Sequence, residues 1–179
     1  MEKRIAKIIV GAAGGTAGNG SKTYKISIPS AWIKEIGIDE KQREVELTFD
    51  GENIILSRLT TMTEFAEQKL ALGHDVRAIR YYDEQKLCTL INVDFTDKTL
   101  KAENYTDHLI KTAFGKNALP TWSDLEAFLE ERCIPRSRAG LREYLEAIGV
   151  EEYDPVEIIK KTQGRMAEDQ QWLEMEVLG

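Results

Sequence analysis

The spacing of apolar residues changes along this chain, and each change marks an element. Ile5, Ile8, Ile9 and Val10 give residues 4–10 a strand-like run, and the glycine-rich stretch 11–20 that follows must be a loop. Tyr24, Ile26 and Ile28 alternate with Lys25 and Ser27 before Pro29, the period of a half-buried strand that a proline ends. Ser30 is a good helix N-cap for residues 31–35 and Gly37 a good stop, which predicts a helix of barely two turns. Residues 44–49 alternate acidic or polar with apolar side chains, Asp50-Gly51 is a strong hairpin signal, and residues 53–57 return as the second strand.

Beyond Leu59 the pattern lengthens. Residues 63–72 have helical spacing and stop at Gly73, so the stretch 59–75 is either that helix or a linker between domains. Residues 76–82 and 86–95 are predicted strands around Asp83-Glu84-Gln85, with 98–104 as a third. Helical signals follow. Ser123 with Glu126 has the form of a capping box ahead of residues 125–129, and Pro135 breaks that segment. Residues 138–148 set Leu141, Tyr144, Leu145 and Ile148 on one face and stop at Gly149. Asp154-Pro155 with Glu157 has the form of a second box, its helix ending at Gly164, and residues 165–178 predict one more short helix. The fold class expected is α+β, with a strand-rich N-terminal domain over 1–58 and an antiparallel sheet followed by helices over 76–179.

Composition and charge change this picture in two respects. At 42% hydrophobic and 31% charged, the 179-residue chain can bury a core. Its net charge of -7 hides a gradient: residues 1–34 hold six basic side chains against Glu2 alone, net +5, whereas residues 35–58 carry -4 and residues 59–179 carry -8. A positive front on an acidic chain points to an anionic partner at the N-terminus. No apolar run approaches the ~20 residues of a membrane span, and Met1-Glu2-Lys3-Arg4 does not begin a secretory signal, so a cytoplasmic protein without membrane contact is expected. Cys88 and Cys133 lack zinc-ligand spacing and are too few for a disulfide framework, so both are expected reduced and buried.

The glycines ahead of Lys22-Thr23 invite comparison with a phosphate-binding loop, whose backbone N–H groups cradle phosphates while a lysine reaches their charge. The frame from Gly15 to Gly20 is followed by Ser21, which puts Lys22 one position late, and the chain continues as a strand rather than into a helix N-terminus facing the phosphates. Nucleotide binding is therefore not expected, and neither a cofactor nor a metal is called for.

Taken together, Gly18-Asn19, Ile26-Ser27-Ile28-Pro29, Trp32-Ile33-Lys34-Glu35-Ile36-Gly37-Ile38, Arg43-Glu44-Val45-Glu46-Leu47 and Gly51-Glu52-Asn53-Ile54-Ile55-Leu56 form an ordered set. This set resembles the AbrB/MazE-type (SpoVT-AbrB) DNA-binding domain of bacterial transition-state regulators and antitoxins, over about the first 58 residues. The resemblance implies a homodimer in which two copies interlace their hairpins into a swapped-hairpin β-barrel. Dimerisation would supply the core that so small a unit lacks alone. It also implies basic strands and loop tips laid on DNA, with Lys7, Lys22 and Lys25 on phosphates and Asn19 and Ser21 making neutral hydrogen bonds to backbone or base edges. The chain departs from the pattern in a longer, glycine-rich tip and in Ser27, where some relatives carry arginine.

The second half offers little chemistry. The two histidines, His74 and His108, lie near no cysteine and in no metal spacing, so catalysis is not expected. Arg132, Arg136, Arg138 and Arg142 cluster around Pro135. They pair with Glu130, Glu131, Glu143 and Glu146, or they form a contact site for an acidic partner. The function expected is a DNA-binding transcriptional regulator or antitoxin that autoregulates its operon and binds a toxin or other protein target through its C-terminal domain. The rival is a protein inhibitor of a toxin or defence nuclease, acting through an acidic second half that imitates a polyanion.

Overall fold

A computed structural model describes residues 2–12, 21–49 and 51–179. The chain divides into two compact units, Met1–Leu59 and Thr60–Gly179.

In the first unit β1 (Ile9–Ala12) pairs antiparallel with β2 (Lys22–Lys25), from Ile9 opposite Lys25 to Ala12 opposite Lys22. Both strands lie closer to residues 13–20 in sequence than alternation predicts. Gly11 and Ala12 have weak strand propensity but gain partners in Thr23 and Lys22, and pairing overrides propensity. α1 (Ser30–Glu35) has Pro29 as its N-cap with no side-chain cap bond, so Ser30 is the first helical residue rather than the cap. β3 (Val45–Phe49) and β4 (Ile54–Arg58) form the predicted hairpin, in register from Val45 opposite Arg58 to Phe49 opposite Ile54. Among the described residues these strands make two separate two-stranded ribbons and no closed barrel.

The second unit is an antiparallel sheet with helices on both faces. It comprises α2 (Met62–Ala71), β5 (Val76–Asp83), β6 (Lys86–Asp94), β7 (Thr99–Asn104), α3 (Trp122–Glu131), α4 (Leu141–Ile148), α5 (Pro155–Thr162) and β8 (Gln171–Val177), with strand order β7-β6-β5-β8. The stretch 59–75 is helical in its middle. Thr61 and Glu64 cap α2 reciprocally, and the helix packs on β5, β6 and β7. α3 begins two residues before the expected box: Thr121 accepts from the N–H of Asp124, whose carboxylate accepts from the N–H of Thr121, leaving Ser123 inside the first turn. Asp154 caps α5 as expected, taking the N–H groups of Val156 and Glu157, with Pro155 at the first helical position.

The helix expected over residues 165–178 is instead strand β8. Leu173 is buried and Met175 half-buried on one side, while Trp172, Glu174 and Glu176 alternate with them on the other. That period suits a strand, and the open edge of β5 supplies its ladder partners, from Arg77 opposite Val177 to Asp83 opposite Gln171. The core lies on this sheet face: Ile79, Tyr81, Ile91, Val93 and Leu173 pack beneath Leu125, Phe128 and Leu129 of α3, Leu145 of α4, and Ile158 and Ile159 of α5. Tyr81 and Phe128 meet edge to face at 5.1 Å. Cys88 and Cys133 are free thiols, both buried.

Candidate nucleic-acid interface

The basic side chains singled out by sequence sit on or beside the β1–β2 ribbon. Lys22 and Lys25 end β2, Ser21 precedes it, Lys7 precedes β1, and all four are exposed. Asn19 lies outside the described residues. Side chains of a strand alternate between faces, so Lys22 lies with Tyr24 on one face and Lys25 with Thr23 on the other. The ribbon is therefore cationic on both faces. Sequence reading did not anticipate what α1 does for the N-terminal arm: the Trp32 indole N–H donates to the Glu2 carboxylate at 2.6 Å.

The apolar side chains described in this unit are exposed or at most half-buried. Among the described residues up to Leu59 none is buried. On the β3–β4 ribbon the register sets Val45, Leu47 and Phe49 on the same face as Ile54, Leu56 and the terminal Arg58, whereas Glu46, Thr48, Ile55 and Ser57 share the other. Leu47 is 62% exposed, Phe49 69% and Ile54 74%. A ribbon whose one face is five apolar side chains ending in Arg58, none of them buried, is incomplete as a folded unit.

In the second unit the four clustered arginines have different fates. Arg132 is buried. Its Nε and Nη2 donate to the Gly164 carbonyl at 3.0 and 2.8 Å, both terminal nitrogens reach the Asp169 carboxylate, and Nη2 also donates to the Gln171 carbonyl at 2.9 Å. This clasp ties the end of α3 to the connection between α5 and β8. It requires a close approach at Gly164, which has φ +58°; a Cβ there would stand 3.0 Å from Leu173 Cδ1 and 3.2 Å from Arg132 Cβ. Arg136 pairs with Glu130 at 2.6 Å and stacks on Tyr153, Arg142 pairs with Glu146 at 3.1 Å, and Arg138 is exposed.

His74, Asp94 and Asp97 bring donor atoms within 4.8 Å of one another, as metal ligands would. The positive charge at that point is the Lys69 ammonium, 3.0 Å from Asp94 and 2.8 Å from Asp97, and it suits a structural pin better than a metal centre. His74 Nδ1 lies 2.9 Å from the same Asp94 oxygen, and the other oxygen accepts from the N–H groups of Thr96 and Asp97. Burial pushes the Asp94 carboxyl up, but the bonds from His74, Lys69 and the two backbone N–H groups outweigh it and hold the group at about 2. Sequence reading missed this cluster, since its members come from α2, the turn after it and the end of β6.

Among the described residues no helix is long and apolar enough to cross a membrane. No family model, no curated protein and no solved structure matches this chain.

Proposed function

We propose that this chain is a DNA-binding transcriptional regulator or antitoxin of the cytoplasm whose first unit acts as a homodimer of AbrB/MazE type. Two copies interlace into a swapped-hairpin barrel and present their basic ribbons to DNA. One observation carries the reading: a unit with regular ribbons, net charge +5 over residues 1–34 and a β3–β4 face that is apolar except for Arg58 at its end buries none of its described residues. A second copy would cover the apolar face. The charge would remain outside for phosphates, whose neutralisation dominates affinity. Cations on both faces of the β1–β2 ribbon suit insertion into a major groove, which admits a two-stranded ribbon with phosphates on either side. The second unit, through the exposed Arg136, Arg138 and Arg142, meets an acidic protein partner, and the regulator acts on its own operon.

The test is fluorescence anisotropy on duplex DNA across a salt series. Each phosphate contact contributes about 0.9 to the slope of log K against log salt, and each lysine occurs twice per dimer, so Lys22→Ala should lower the slope by up to about 2 on every sequence. Residues 1–59 alone should retain binding, and residues 60–179 alone should have none. DNA binding by neither, together with capture of a toxin by 60–179, would favour the inhibitor reading instead.

A further inference from the structure

We propose that the cleft between the α3–α4 connection and the α5–β8 connection binds a small organic oxyanion, a carboxylate or phosphate ester carrying an apolar body. The proposal stands apart from DNA binding by the first unit, and because Arg138 belongs to both this cleft and the proposed partner surface, a bound anion and the protein partner would exclude one another there. The cleft encloses about 540 Å³, within the usual range for small-ligand sites. Ile134, Pro135 and Met166 give it apolar walls, and Arg138 and Arg165 its charge.

The pairing of arginines across the second unit singles out this place. The unit contains seven arginines. Five are matched to carboxylates: Arg77 to Asp75, Arg80 to Glu176, Arg132 to Asp169, Arg136 to Glu130 and Arg142 to Glu146. The two without a carboxylate partner among the described residues, Arg138 and Arg165, line the same cleft, in a region whose net charge is -8. A domain so rich in acids that leaves two arginines unmatched around one concavity has a place for an external anion. Planar guanidinium groups hold carboxylate and phosphate oxygens in paired hydrogen bonds.

The site is also held in shape. Arg165 donates to the neutral Gln163 side chain at 3.1 Å and lies 4.8 Å above the Trp172 ring, two residues outside the lining, so its head rests at the rim of the cleft without being neutralised and turns inward to meet a bound anion. The Arg132 clasp fixes the connection that carries Arg165, and its own charge is spent on Asp169. Ser137 and Tyr144 add hydroxyl groups to the lining. Glu168, exposed at the same cleft, is the opposing charge and selects against ligands with several spread anionic groups.

Calorimetric titration of the full chain at constant ionic strength, with phenyl phosphate, benzoate, inorganic phosphate and benzylamine as probes, tests the proposal. Expected is saturable binding of phenyl phosphate or benzoate, weaker binding of inorganic phosphate, and none of benzylamine. Arg138→Met and Arg165→Met should each weaken the bound anion at least about tenfold, the cost of a charge-assisted pair. Arg80→Met, whose charge is paired with Glu176 on the sheet outside the cleft, should change nothing. Whichever of phenyl phosphate and benzoate binds tighter identifies the oxyacid. Both variants replace exposed side chains, and unchanged melting temperatures would verify that they fold. Absence of saturation with both organic anions, an equal loss in Arg80→Met, or inorganic phosphate as tight as phenyl phosphate would each overturn the assignment.

Discussion

Phe49→Ala probes whether the bare face of the β3–β4 ribbon is an interface. Full burial of a phenylalanine contributes up to about 3 kcal/mol. Phe49 is 69% exposed in the single chain, so covering the remainder contributes about 2 kcal/mol per copy and about 4 kcal/mol per dimer. At 1.4 kcal/mol per decade the dimer dissociation constant should rise about a thousandfold. Sedimentation equilibrium over a wide concentration range reads this directly, because the wild type should run at roughly 40 kDa, twice the 20.3 kDa chain. If the hairpins interlace as proposed, they leave no complete monomer core, and the variant should also lose strand signal in circular dichroism as it dissociates. Thr48→Ala is the control, one residue away on the opposite face. A wild type that stays a single folded chain throughout, or a Thr48→Ala effect as large as that of Phe49→Ala, would refute the reasoning.

Three further outcomes test the second unit. Arg132→Ala should destabilise residues 60–179 by about 3–5 kcal/mol in urea denaturation, because it strands Asp169 and the Gly164 carbonyl beside a cavity. Asp94 is held at about 2 against an ordinary 3.8, so its stabilisation is whole above the ordinary value and is lost as pH falls through about 2. The stability difference between wild type and Asp94→Asn should accordingly shrink by about 2 kcal/mol between about pH 5 and about pH 2. Burial pushes the Cys133 thiol up to about 12, with Glu130 and Asp154 adding to it, so the native chain should resist thiol reagents at neutral pH and label only on unfolding.

Much of the architecture was written locally. The β3–β4 hairpin follows from alternation around a turn signal, α5 from Asp154-Pro155, and the end of α4 from Gly149, whose φ of +72° closes that helix. Such signals act within a few residues, by backbone sterics and by satisfying the exposed N–H and C=O groups of an element's ends. The sequence by itself also determined the charge gradient and the places where cations are concentrated.

Other features depended on partners remote in sequence. β8 is a strand because β5 offers an edge about a hundred positions earlier, and its Leu173–Met175 alternation was too short to outweigh the helical composition around it. The four arginines around Pro135 look alike in sequence, yet one is locked into the fold, two are paired and one faces solvent; only the packing of α3 against the α5–β8 connection separates them. Thr121 rather than Ser123 caps α3 for the same reason, since which hydroxyl meets the helix end depends on where Phe128 and Leu125 must sit to reach the core. Local sequence determines what each segment can form. Long-range burial, which is non-directional and rewards whatever arrangement removes most apolar surface from water, decided which of those options this chain adopts.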